Sequence, residues 1–247
     1  MVTIMMQFAL KIGLVLLLLF NAWINPVLAD IVEESQILQV IRSHPKAILD
    51  SLIAYQQEQD SAKLEVRVQV VKSVTKNPGS LISDSPHQGR LLSQKTIVEF
   101  SDFQCPFCRR TQKMLDTFSK QHPEVQRVYK HLPLIQIHDQ AMPAAKAAWA
   151  AGKQGKFWDY HDQLFVKQEH LGEPLYETIA QDLNLDIDRF NHDRVSKSAT
   201  AAIDADLKWA NELGATGTPF FILIGPKDTQ ILTGASLNDL EQAIAVV

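Results

Sequence analysis

The segment Phe103-Gln104-Cys105-Pro106-Phe107-Cys108 holds both cysteines of the chain. Two thiols at that spacing can exchange disulfides, ligate a metal or staple a loop. Upstream, Thr96-Ile97-Val98-Glu99-Phe100 reads as a buried strand, and Pro106 stands where a helix tolerates proline, in its first turn. Strand, CxxC and helix together make a thiol–disulfide redox motif. Cys105, at the helix mouth, meets free N–H groups and the positive end of the macrodipole. It is therefore predicted to be the exposed thiol with a lowered pKa, the attacking nucleophile. Cys108, one turn inside, suits the resolving role. A stabilised thiolate stabilises the reduced form and makes the disulfide a stronger oxidant. A zinc site draws about four ligands, and the chain has no second cysteine pair. A structural bridge across so small a loop constrains the unfolded chain little.

Glu99 lies in the same apolar strand as a second candidate. Buried, its carboxyl would have a raised pKa; at a strand edge it would be solvated. His131, His138 and His161 share no metal-ligand spacing and read as core or surface histidines, so no metal is assigned. Phe157, Trp158 and Phe165 either pack a helical block onto the sheet or line an apolar groove.

The elements that must position these residues follow from periodicity. Strand signals appear at 95–102, 125–134, 219–225 and 229–234, helical patterns from about 139 to 213 and over 238–245. Residues 31–75 read as helical and separate. Ile37, Leu38 and Ile41 mark one apolar face, and Pro45 opens a second helix carrying Ile48, Leu49, Leu52, Ile53 and Tyr55. Leu64, Val68 and Val71 fit a continuing helix, while the alternation Leu64, Val66, Val68, Val70 also fits a strand. Asn77-Pro78-Gly79 ends the segment and the polar 83–89 stretch links it onward. The apolar helical faces are predicted to pack on the following domain or to self-associate.

The N-terminus has the layout of a secretory leader: Lys11, the apolar run at 12–20, and Val27-Leu28-Ala29 before Asp30, with cleavage after Ala29. The apolar run is short against the roughly 20 residues of a membrane span; an uncleaved anchor is the alternative. Export places the CxxC pair in an oxidising compartment. With 24 basic and 28 acidic residues the net charge is -4, and losing the leader with Lys11 makes it more negative. That argues against nucleic acid as a partner.

The chain resembles the DsbA family of thiol–disulfide oxidoreductases from about residue 80 to the C-terminus. The resemblance rests on Val98-Glu99-Phe100-Ser101-Asp102-Phe103-Gln104-Cys105-Pro106-Phe107-Cys108, on Gln154-Gly155-Lys156-Phe157-Trp158, on His161-Asp162-Gln163-Leu164-Phe165, and on Leu213-Gly214-Ala215-Thr216-Gly217-Thr218-Pro219-Phe220-Phe221. It implies an α/β thioredoxin fold with a helical insertion at about 139–213. The expected organisation is a signal peptide at 1–29, a helical extension at 30–78 and the catalytic domain at 79–247. The resemblance further implies that Pro219 is cis and faces the sulfurs, where Thr218 presents backbone groups to an extended peptide. A trans proline opening a strand is the other reading. Glu99 would be the proton acceptor beneath Cys108. The Pro106-Phe107 dipeptide departs from the Pro-His pair of the best-known oxidising members. Phe107 cannot stabilise a thiolate by charge, so oxidising strength is lower or comes from elsewhere.

The expected activity is disulfide exchange with exported, folding proteins, most readily as a disulfide-forming oxidase in the periplasm. It needs no cofactor, and a membrane redox partner, such as a quinone-linked re-oxidase, would restore the disulfide. An oligomeric isomerase or reductase, assembled through residues 31–75 and fed by a reductant, is the alternative. So is a chaperone or adaptor that uses only the peptide groove.

Overall fold

The computed structural model describes residues 34–82, 84–89 and 93–247. The signal-peptide reading and residues 30–33 of the extension lie outside the described residues.

Five strands form one sheet in the order β1-β3-β2-β4-β5. Strand β2 (Lys95–Ser101) lies at the centre, parallel to β3 (Val125–His131) and antiparallel to β4 (Phe220–Ile224). Strand β5 (Thr229–Thr233) closes one edge, and the two-residue β1 (His87–Gln88) pairs with β3 at the other. The parallel β2–β3 pair requires a crossover, which helix α4 (Pro106–Gln121) supplies. Cys108, Leu115 and Phe118 of α4 are buried at helical spacing and form its sheet-facing stripe.

Alternation along the strands sends side chains to two cores. Ile97, Val125, Phe221 and Leu223 pack with α4 and with α10 (Leu237–Val246). Helix α10 starts with a reciprocal Ser236–Asp239 capping box. Val98, Phe100, Val128 and Ile222 pack on the other face with Ala210 of α9 (Lys197–Glu212) and with Val74. The insertion comprises α5 (Ala141–Gly152), α6 (Phe157–Val166), α7 (Glu173–Asp182), α8 (Ile187–Arg194) and α9. Seven alanines of α5 are buried. Their small side chains allow close approach of the helices around them.

Residues 64–70, open between helix and strand, belong to one unbroken helix, α2 (Pro45–Lys76). By compactness the chain divides into two units at 62/63. The physical reason is that the last turns of α2 belong to the second unit: Val70, Val71 and Val74 pack into its core, and the Thr75 and Thr229 hydroxyls are 2.7 Å apart. The short helix α3 (Gly79–Ile82) starts on the glycine of the expected turn, and strand β1 lies in the 83–89 stretch read as a linker. The described part of the first unit holds helix α1 (34–43) and the N-terminal half of α2. Its apolar residues, among them Ile37, Ile41, Leu49 and Leu52, are exposed.

Candidate active site

Cys105 is the N-cap of α4, with extended backbone and Pro106 at the first helical position. Its sulfur lies 3.5 Å from the Thr218 carbonyl oxygen, to which the thiol donates. The Cys105 pKa is lowered to about 5, foremost by a hydrogen bond from the Cys108 thiol. Burial opposes the lowering; the Thr218 side chain and the backbone N–H groups of Cys108 and Phe107 add to it. In the neutral state the Thr218 hydroxyl is buried without a hydrogen-bond partner, ready to donate to a thiolate. The expectation of an exposed nucleophile is not met: Cys105 is only 3% exposed. Its acidity comes from a partner thiol and helix N–H groups, which supply what burial withholds.

Cys108 is fully buried, and burial pushes its thiol pKa well up, with the neighbouring Cys105 sulfur adding to the rise. The Asp102 backbone and the nearby Ser101 side chain work in the other direction. The two thiols, both free here, are thus driven apart in acidity.

Glu99 is wholly buried in the central strand, not solvated at an edge. Arg127 Nη2 donates to its Oε2 at 2.9 Å, and Gln112 Nε2 donates to its Oε1 at 3.0 Å. Gln112 also donates to the Cys108 carbonyl at 3.2 Å, so one side chain bridges the carboxylate and the Cys108 backbone. Arg127 is itself buried, donates to Gln112 Oε1 at 2.6 Å and lies 5.1 Å from the Trp158 ring centroid.

The Thr218–Pro219 peptide bond is cis and lies directly before β4. Phe107 is 58% exposed, with the Arg110 guanidinium 4.4 Å over its ring. The loop before Cys105 is held on several sides. Buried Asp102 accepts from Gln104 N and Leu134 N, and its Oδ2 lies 2.8 Å from His138 Nδ1. Gln168, from the insertion, donates to the carbonyls of both Phe103 and Cys105 at 2.7 and 3.0 Å. His131 and His161 lie in the aromatic core around Phe103 and Tyr129, together with Phe157 and Phe165. Among the described residues no cluster of metal-ligating side chains occurs.

Sequence reasoning brought Cys105, Cys108, Pro106, Phe107, Thr218, Pro219 and Glu99 to this region. It missed Arg127, Gln112, Ser101 and Gln168. Only Arg127, a charge inside the apolar strand pattern of 125–134, left a trace that could have been read.

The family model described as Thioredoxin matches residues 82–244. A thioredoxin-like oxidoreductase from Silicibacter pomeroyi is 29% identical with a TM-score of 0.62, covering 68% of this chain and 96% of that one. The thiol-disulfide exchange protein alpha-DsbA2 from Wolbachia pipientis superimposes with a TM-score of 0.63 at 18% identity, covering 75% of this chain and 97% of that one. Among curated proteins, a Na(+)/H(+) antiporter NhaA 3 from Salinispora tropica is 33% identical over 153 residues, 60% of this chain and 24% of that protein. The chain thus spans a quarter or less of the length of the curated relatives it matches. Among the described residues no helix is long and apolar enough to cross a membrane.

Proposed function

This chain belongs to the thioredoxin family, and on that premise we propose that it is a DsbA-like thiol–disulfide oxidoreductase that acts in the periplasm as a disulfide-forming oxidase of exported proteins. The observation that carries the proposal is the opposed acidity of the two thiols, Cys105 lowered to about 5 and Cys108 raised by burial. In the oxidised enzyme, a substrate thiolate attacks Cys105 Sγ. The Cys105–Cys108 bond breaks, a substrate–Cys105 bond forms, and Cys108 leaves with the electron pair and takes up a proton. A second substrate thiolate then attacks the substrate sulfur and expels Cys105 as a stable thiolate. The substrate gains a disulfide, and its two electrons rest on the Cys105–Cys108 dithiol. In the reverse direction Cys108 must lose its proton before it attacks the mixed disulfide. Glu99, which shares the Gln112 amide donor with the Cys108 carbonyl, is proposed to receive that proton. Thr218 and Pro219 are proposed to hold the substrate backbone beside Cys105.

A membrane redox partner that accepts electrons from the dithiol would complete the cycle. The test is the equilibrium reduction potential of the pair in glutathione buffers. The oxidase reading expects a value more oxidising than roughly -180 mV; one near -270 mV would sink it. A second reading, an oligomeric isomerase, is favoured by the exposed apolar side chains of residues 34–62.

A further inference from the structure

The chain has four tryptophans. Three of them, Trp149, Trp158 and Trp209, line a single cavity of about 780 Å³ that neither cysteine touches. The fold creates this space at the β3 edge. Strand β1 pairs only with residues 127 and 128, so the sheet edge beyond is not continued by a strand. There Asp206 of α9 substitutes: its Oδ2 accepts from the His131 backbone N–H at 2.9 Å and its Oδ1 from Lys130 Nζ at 2.8 Å. Ala202 and Ala205, on the same helix, keep the wall low. The turn from α5 into α6, Ser80 and residues 84–87 supply the other walls.

The lining combines flat apolar faces with buried polar groups. Trp158 is locked in orientation by its indole N–H, which donates to the His87 carbonyl at 3.0 Å. His131 also lines the cavity, is almost entirely buried, and has no hydrogen-bond partner at either ring nitrogen. Burial and the Lys130 charge hold its imidazole neutral, with a pKa pushed down to about 3. A neutral imidazole offers one donor and one acceptor. A buried polar ring left without partners is costly, and such groups mark places where a ligand or solvent completes the bonding.

Charge narrows the ligand class. Lys153 Nζ lies 5.4 Å from the Trp149 ring centroid, and the Arg127 guanidinium carbon 5.1 Å from that of Trp158. Cations already use the electron-rich faces of two indoles, which disfavours a cationic guest there. Asp206 is neutralised by Lys130. Lys153 and Asp84 both line the cavity without an ion pair among the described residues, and of the two it is Lys153 that is held against a tryptophan ring.

We propose that this cavity is a second binding site, separate from the cysteine pair, for a small planar aromatic compound bearing an acidic head group. The ring stacks among the tryptophans, the His131 imidazole hydrogen-bonds the ligand, and the Lys153 ammonium meets the head group. The volume falls in the range of small-molecule pockets.

The experiment titrates the full chain with 4-nitrobenzoate, reading tryptophan emission and heat, with 4-nitrobenzylamine as the charge-reversed probe. Saturable 1:1 quenching by the benzoate, at least fivefold tighter than by the amine, is expected. Lys153→Glu should weaken benzoate binding about fivefold or more, and His131→Leu, which keeps an apolar wall, should do the same. Cys105→Ser should bind as tightly as the parent. Linear, unsaturable quenching, or equal affinity for both probes, overturns the proposal. Affinity untouched by Lys153→Glu and His131→Leu does so too, as does loss of binding in Cys105→Ser. Because no step depends on redox turnover, failure here leaves the oxidase reading intact, and the reverse.

Discussion

Cys105 reaches a pKa of about 5 although Phe107, the side chain beside it in the motif, carries no charge. The lowering comes first from Cys108, then from Thr218 and helix N–H groups, so a histidine in the dipeptide is not needed for an acidic thiol. Two pH units between that value and neutrality stabilise the reduced state by roughly 3 kcal/mol, or about 60 mV of oxidising strength. Alkylation of the reduced protein by iodoacetamide should therefore follow a single titration centred near pH 5. The rate falls as the thiolate is protonated below that point and stays flat above it, because Cys108 remains a thiol. Peptide mapping should find the label on Cys105, and Thr218→Val should move the midpoint upward by about one unit or less as a donor is lost. Label on Cys108, or a midpoint at the ordinary thiol value, overturns the assignment. Glu99→Gln should slow resolution of the mixed disulfide about tenfold or more while leaving its formation within about twofold. Arg127→Met strands the Glu99 carboxylate and should cost about 3–5 kcal/mol in denaturant unfolding, part of it recovered in the double variant. Rapid-mixing kinetics with a model peptide separates the two steps; resolution unchanged across pH would make Glu99 a bystander. The placement of the two cysteines was legible because two residues of spacing and one proline encode the geometry locally. Arg127, Ser101 and Gln112 were not, because strand register and the crossing of α4 over β2 bring them together, and neither is written in any single segment.

At the scale of elements, the N-terminus of α4 works only if the loop before it is held, and the insertion does the holding. Gln168 donates to two backbone carbonyls at once, those of Phe103 and Cys105. Removing that amide leaves the buried Phe103 carbonyl unpaired, at about 1–3 kcal/mol, and the Cys105 carbonyl with the Arg109 N–H alone. Gln168→Leu should lower the melting temperature by about 3–10 °C in both redox states and loosen the placement of Cys105. Calorimetry on the oxidised and reduced proteins checks this; an unchanged midpoint would show that other contacts hold the loop. The main strands, α4 and α10 were legible because each shows an apolar run or a one-face stripe with clear ends. Strand β1 was not: two residues carry no period, and its pairing partner lies 40 residues away in β3. The 64–70 stretch shows how period alone can mislead. Leu64, Val66, Val68 and Val70 alternate as a strand would, yet the core selects Val70, Val71 and Val74, which share a helical face.

For the whole molecule, the first unit leaves apolar chains in water: Ile37, Leu38, Val40 and Ile41 on α1, and Ile48, Leu49, Leu52 and Ile53 on α2 are each more than 40% exposed. Patches of this kind mark interaction surfaces. Burying even half of such a set at about 1.5–3 kcal/mol per side chain exceeds the lower estimates of association cost. Self-association through residues 34–62 is therefore the expected outcome, and it bears on the chemistry. Several Cys105 sites in one assembly favour reshuffling of a shared substrate, whereas a monomer favours simple oxidation and easy access for a re-oxidising partner. Where to cut is decided by the core. A protein beginning at Gly79 would lose Val70, Val71 and Val74, which the second unit buries, and would report damage rather than assembly. One beginning at Lys63 keeps them and removes the exposed faces. Light scattering on the chain from Asp30 and on the chain from Lys63 should give an oligomer and a monomer, both with the alkylation profile of Cys105 intact. Refolding of a scrambled multi-disulfide substrate should then be faster with the oligomer, and oxidation of a reduced peptide should be similar for both. Two monomers would remove the support for an isomerase and leave the oxidase. An oligomer from Lys63 would place the contact on the catalytic domain instead.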